Sequence, residues 1–146
     1  MKNLNLCIGL LLGLIILSCS SEDDENKTDA SILGKWILVS ESYEGDEEPL
    51  SDCELMQTLT FNSDGTLEVY VLVDDDPCVF ETTTVAYAKN ENEFTVSIEE
   101  DGETFMVRNR IKKLTETELE FEDIWDNEIG DYPADERTTS KYNRTN

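Results

Sequence analysis

The sequence contains no histidine. That removes the side chain best suited to moving protons near neutral pH, and with it Ser-His-Asp triads, Cys-His pairs and histidine metal sites. Cationic residues are scarce too: 11 Lys and Arg stand against 34 Asp and Glu, a formal net charge of −23. Such a surface repels nucleic-acid phosphates and anionic lipid, so nucleic acid is not an expected partner. The same charge keeps a surface soluble, and a monomer is expected. No Gly-rich phosphate loop of the Walker or dinucleotide type is present. Carboxylates are numerous enough for a glycosidase-type pair, but they crowd turns and outward positions, and nothing singles out two of them. Asp74-Asp75-Asp76 and Asp126-Asn127-Glu128 offer hard oxygen ligands. Neither has the spacing of an EF-hand loop with its glycine at the sixth position. The expectation is a non-catalytic chain with no metal and no cofactor.

An apolar run long enough to span a bilayer is also missing. Leu6–Leu17 follows Lys2 and falls short of the ~20 residues a spanning helix needs, which fits a signal-peptide core. Extending it into a helix would recruit Ser18 and the acidic residues beyond, which hydrocarbon rejects. The quartet Ile16-Leu17-Ser18-Cys19 resembles a bacterial lipobox. That resemblance implies cleavage after Ser18 and a diacylglycerol thioether on Cys19, so that the membrane becomes a partner through Cys19. Residues 1–18 are then a lipoprotein signal peptide, and 19–31 a lipidated cysteine followed by a tether. Ser20–Ser31 holds five acidic residues, one lysine and no aromatic or large aliphatic side chain. It cannot bury enough apolar surface to offset the entropy of ordering. Ser20-Ser21-Glu22-Asp23-Asp24-Glu25 is similar to the acidic export signal behind the lipidated cysteine of surface lipoproteins from Bacteroidetes-type bacteria. The expected location is the outer membrane, at the cell surface, with the periplasmic face as the alternative.

Four cysteines sort by position. Cys7 is lost with the leader and Cys19 carries lipid, which leaves Cys53 and Cys78. Outside the cytosol such an even pair can persist as a disulfide, stabilising the domain by about 3 kcal/mol in the chain-entropy model. The alternative is two free buried thiols acting as small hydrophobes.

From Ile32 onward the apolar pattern has period two, broken by turns at short intervals. Candidate strands are Lys35–Tyr43, Leu55–Asn62, Thr66–Val73, Val79–Ala88, Phe94–Glu99, Thr104–Lys112, a short run around Leu119 and Phe121, and Thr138–Arg144. Leu55, Gln57, Leu59 and Phe61 fall on one face of the second. Asn62-Ser63-Asp64-Gly65 is a tight hairpin signal, because Asp-Gly readily takes the positive φ such turns need. Glu44–Pro49 and Asp126–Glu136 read as loops. About eight strands without a convincing amphipathic helix point to an all-β fold, an eight-stranded antiparallel up-and-down barrel. An open two-sheet sandwich would give a similar pattern.

Gly34-Lys35-Trp36 opens the first strand as the Gly-x-Trp motif opens the barrel in lipocalins. Thr58-Leu59-Thr60-Phe61-Asn62-Ser63-Asp64-Gly65-Thr66-Leu67 is similar to the Thr-x-Phe-x-x-Asp-Gly-Thr hairpin of lipocalin-like lipoproteins from Bacteroidetes. Cys53 before the hairpin, Cys78 after it, and Leu114-Thr115 followed by Leu119 fit the same group. The resemblance covers residues 32–146 and implies a lipocalin-like barrel in which Arg144 packs over Trp36 to shut the base. The helix that follows the last strand of larger lipocalins is absent.

A barrel of this size is just wide enough to be filled by side chains or to hold one small ligand. Alternation aims Trp36, Leu38, Leu59, Phe61, Leu67, Val69, Val71, Phe94, Val96, Phe105, Val107, Phe121 and Tyr142 inward. The expected function is binding of a small hydrophobic ligand by these residues. The alternative is an interaction module that meets a protein or glycan through its loops, around a packed interior.

Overall fold

The computed structural model describes residues 30–100 and 102–145. The expected leader with Cys7, the expected lipidation residue Cys19 and the expected tether up to residue 29 lie outside the described residues. Ten strands follow one another: β1 Gly34–Tyr43, β2 Asp46–Glu47, β3 Thr58–Phe61, β4 Thr66–Asp75, β5 Cys78–Asn90, β6 Glu93–Glu100, β7 Glu103–Leu114, β8 Glu118–Asp126, β9 Gly130–Asp131 and β10 Thr138–Arg144. β2 and β9 are two-residue attachments to β1 and β8. The other eight form the wall.

Each wall strand runs antiparallel to the next, and β10 pairs with both β8 and β1. The sheet therefore closes on itself as an eight-stranded antiparallel barrel, and closure removes the free edges an open sandwich would leave. One seam is incomplete. β5 pairs with β4 from Cys78 to Ala86, but with β6 only from Ala86 to Asn90. Beyond Ala86 and Ser97, in the direction of Cys78, the wall parts between these two strands.

The turns are built as their residues require. In the β3–β4 hairpin Gly65 sits at φ +84°, where a side chain would be strained. Asp64 Oδ1 accepts hydrogen bonds from the Thr66 amide at 3.0 Å and its hydroxyl at 2.6 Å, which depresses the Asp64 pKa.

Several expectations need correction. Leu55–Asn62 is not one strand: Glu54–Met56 forms a single 3-10 turn and pairing begins only at Thr58. Cys53, immediately before it, is tied to Cys78 with Cα atoms 5.7 Å apart. That tether, with Ser51 accepting the Glu54 amide through Oγ and donating it to Asp75, curls the segment across the barrel end. β8 runs on to Asp126, four residues past the last alternation seen in sequence. Asp126 accepts the Glu128 and Ile129 amides and the Tyr132 hydroxyl, and so organises a loop that contains β9.

Bulges shift the register between Leu38 and Ser40 of β1, Leu72 and Asp74 of β4, and at two places between β7 and β8. A bulge reverses which side chains face inward beyond it. In β1 it aims Glu41, not Ser40, at the interior, where it pairs with Ser140.

Candidate functional site

The two ends of the barrel differ. The closed end gathers Gly34, Trp36, Phe61, Phe94, Leu119 and Arg144. Trp36 is fully buried, and the Arg144 guanidinium lies 4.1 Å from its ring centroid. Such a stack contributes about 0.5–2 kcal/mol depending on desolvation. The same guanidinium donates to the carbonyls of Ser31 (2.5 Å), Leu33 (2.6 Å) and Glu116 (2.7 Å). Gly34, at φ +117°, passes beneath it, and a Cβ there would lie 2.7 Å from Arg144 Nη1. Only glycine leaves room for this plug.

Above the plug is a packed aromatic floor. Phe61 meets Phe94 edge-on at 5.5 Å, Phe94 meets Phe121 edge-on at 5.1 Å, and Phe121 stacks on Tyr142 at 5.5 Å. Leu38, Leu59, Leu67, Val85 and Leu119 complete it, all at most 9% exposed. Burial of each such side chain is worth roughly 1.5–3 kcal/mol.

Towards the open end the inward positions change character. Val69 and Val71 on β4, Val96 and Ile98 on β6, and Phe105 and Val107 on β7 continue the inner face but are only half-buried. This is the end at which β5 and β6 part. The result is an apolar cup resting on the aromatic floor. Leu50, in the disulfide-tethered segment, packs against the core from the same β2–β3 connection.

The opposite wall is polar. Ser140 Oγ donates to Glu41 Oε1 at 3.1 Å. Asp123 of β8 pairs with Asn109 of β7, which is 4% exposed, and continues the inward face of Leu119 and Phe121. Burial, and then the Glu41 charge, push the Asp123 pKa up to about 6. Burial, with the charges of Glu41 and Asp123, also raises the Tyr142 phenol far above its ordinary value. Among the described residues neither Glu41 nor Asp123 has a Lys or Arg partner; the ion pairs lie elsewhere, as where Arg110, Lys112 and Arg137 surround Glu122.

The sign of the Asp123 effect follows from its raised pKa. The folded chain holds this proton more tightly than the unfolded chain, so ionisation opposes folding, fully above pH 6 and not at all below pH 4. Asp123→Asn should therefore raise the unfolding free energy by about 3 kcal/mol at pH 7.5. Denaturant unfolding at pH 7.5 and pH 3.5 checks this: the advantage should vanish at the lower pH, and a pH-independent gap would contradict it.

The sequence-derived interior residues thus fall into three groups. Trp36 belongs to the plug with Arg144. Leu38, Leu59, Phe61, Leu67, Phe94, Phe121 and Tyr142 build the floor. Val69, Val96, Phe105 and Val107 line the cup with Val71 and Ile98. Glu41, Asp123, Asn109 and Ser140 were missed. The in-phase positions of Asp123 after Leu119 and Phe121, and of Asn109 between Val107 and Ile111, carried the signal for two of them.

Outside the barrel, Lys35, Ile37, Met56, Thr58, Tyr70 and Thr145 line a shallow groove of about 420 Å³. Tyr70 stacks on Phe80 beside it at 4.6 Å.

Comparison with known proteins agrees with this architecture. No curated protein matches the chain. A lipocalin-like protein from Bacteroides uniformis superposes with a TM-score of 0.52 at 15% identity, covering 77% of this chain and 97% of its own. An uncharacterized protein from Bacteroides eggerthii does so at 0.50 and 14% identity, covering 79% and 100%. The family model for the lipocalin-like domain matches residues 32–121. With the Gly34–Trp36 opening and β1 to β7 inside that match, and β8 and β10 completing the eight-stranded wall, the chain belongs to the lipocalin-like domain family.

Proposed function

We propose that this chain is a lipid-anchored bacterial envelope protein that holds a small hydrophobic ligand in the cup without transforming it. The observation that carries the reading is the row of half-buried apolar side chains from Val69 to Val107 above a fully packed floor. Such side chains gain from any apolar molecule that displaces water from them. The absence of histidine and the oxidised state of Cys53 and Cys78 argue against catalysis.

Trp36 is a poor reporter of occupancy, since it lies beneath the floor. A neutral solvatochromic dye such as Nile red should instead brighten saturably on the wild-type chain. Val107→Asp should weaken that binding at least tenfold, and an unsaturable, variant-independent signal would remove the carrier reading.

Anchoring is supported by the Ile16–Cys19 quartet and the acidic run behind it. Cys19→Ala should accumulate as an unlipidated precursor in a Gram-negative host, as read by mass spectrometry; normal maturation would rule the anchor out. A second reading, a protein or glycan contact, is favoured by the outer groove beside the Tyr70–Phe80 stack, a flat aromatic surface of the kind sugar rings and partner side chains pack upon.

A further inference from the structure

β5 reaches further than the strand beside it. It runs 13 residues, from Cys78 to Asn90, whereas β6 runs 8, from Glu93 to Glu100. Continuing the Ala86–Ser97 register one for one would set Glu100 opposite Thr83, so Cys78–Thr82 stand beyond the end of β6. β4 covers one side of Val79–Val85 and no described strand covers the other. Glu81, Thr82, Thr83 and Thr84 are exposed one after another, where a strand sealed on both sides of a barrel wall alternates.

The backbone groups on that edge have a fixed direction. The Tyr87 amide donates to the Gly65 carbonyl at 2.8 Å, on the β4 side. Backbone groups alternate in direction along a strand, so those of Val85, Thr83 and Glu81 face β4, and those of Phe80, Thr82 and Thr84 face the seam. Open edges are usually shielded by lysine, proline, a bulge or short length. Val79–Val85 contains neither lysine nor proline, and the bulge of this ladder falls on β4, between Leu72 and Asp74. Its threonines and valines favour extended chain, and the Cys53–Cys78 disulfide fixes its outer end. The edge is thus held ready for another strand.

A row of amides and carbonyls recurring every second residue is matched by an extended polypeptide. Charge selects which one. Over β4, β5 and β6 the described cation is Lys89, at the closed end, while Glu68, Glu81 and Glu99 are exposed around the open edge. A second copy would bring its own net charge of −23 against the same sign. We propose that β5 accepts a basic, extended segment of a partner protein as an added antiparallel strand, bonded to Phe80, Thr82 and Thr84. Pairing there sets the bonded residues of the segment on the outer face with Thr82 and Thr84, where lysine or arginine meets the acids of the wall. The alternate residues turn to the inner face, beside Ile98. This surface is separate from the cup and does not depend on the cup being occupied.

The test titrates the full chain into a fluorescein-labelled, capped peptide of alternating lysine and valine, long enough to span Val79–Val85, and reads anisotropy. Binding should saturate, and the Thr82 and Thr84 amides should exchange with deuterium at least tenfold more slowly in the complex. N-methylation of the lysines, whose amides meet β5, should weaken binding at least tenfold, whereas N-methylation of the valines, whose amides point away, should leave it nearly unchanged. Glutamate in place of lysine should abolish binding. Thr82→Pro removes an amide that β4 does not use, and should lose the peptide while keeping the far-UV circular dichroism of the wild type. Absence of binding overturns the proposal. Binding indifferent to N-methylation overturns it as plain charge attraction, and equal binding of the glutamate peptide overturns the choice of a basic partner. A dimer in sedimentation, with Thr82 exchange slowing as the chain is concentrated without peptide, would give the edge to a second copy instead. If Thr82→Pro fails to fold, the two N-methylated peptides on the wild-type chain still decide.

Discussion

Phe94→Ala is expected to lower the unfolding free energy by about 3–5 kcal/mol, the range for truncating a buried aromatic. Phe94 is 2% exposed and touches Phe61 and Phe121 edge-on, so its loss breaks the floor in its middle. β6 is held to β5 only between Ala86 and Asn90, and Phe94 stands inside that short ladder opposite Lys89. Urea unfolding measures the effect. Ile129→Ala, at a side chain 73% exposed, is the control and should change stability by less than about 0.5 kcal/mol. A Phe94 loss no larger than the control's would mean that the floor is not packed as described.

Replacing both Cys53 and Cys78 by serine should lower the unfolding free energy by about 3 kcal/mol, the chain-entropy value for a cross-link between residues 25 apart. The change has a local part as well. The disulfide fastens the Ser51–Gln57 segment to the far end of the β4–β5 hairpin, where the Ser51–Asp75 hydrogen bond is its neighbour. Without it, Leu50 and the Glu54–Met56 turn should lose amide protection before the barrel floor does. Hydrogen exchange on the reduced and oxidised protein separates the two effects. Equal protection of the segment in both forms would show that the cross-link acts only on the unfolded chain.

Much of this barrel was legible because alternation and turn chemistry agree along the chain. Thr138–Arg144 appears with the boundaries its pattern indicates, and Asp64-Gly65 makes the turn its residues favour. The expectation of export favoured a disulfide over two free thiols at Cys53 and Cys78, and the two are paired. What alternation could not show was where it slips. The β1 bulge turns Glu41 inward although Trp36 and Leu38 place it in the outward phase. Bulges depend on the partner strand, here β10, nearly a hundred residues away in sequence, so no local pattern announces them. Leu55 and Gln57 misled for the opposite reason. Their spacing suits a strand, but the link from Cys53 to Cys78 holds the chain in a 3-10 turn. Tertiary constraint overrode local preference there.

The Arg144 contacts have a directional consequence. By gripping the carbonyls of Ser31 and Leu33, the last strand holds the chain's entry into the barrel at the plugged pole. Ala30, the first described residue, therefore sits at that pole, opposite the cup. A body tied down through its upstream segment would stand like a goblet on its stem, its rim turned outward from the supporting surface and free to meet molecules arriving from the far side.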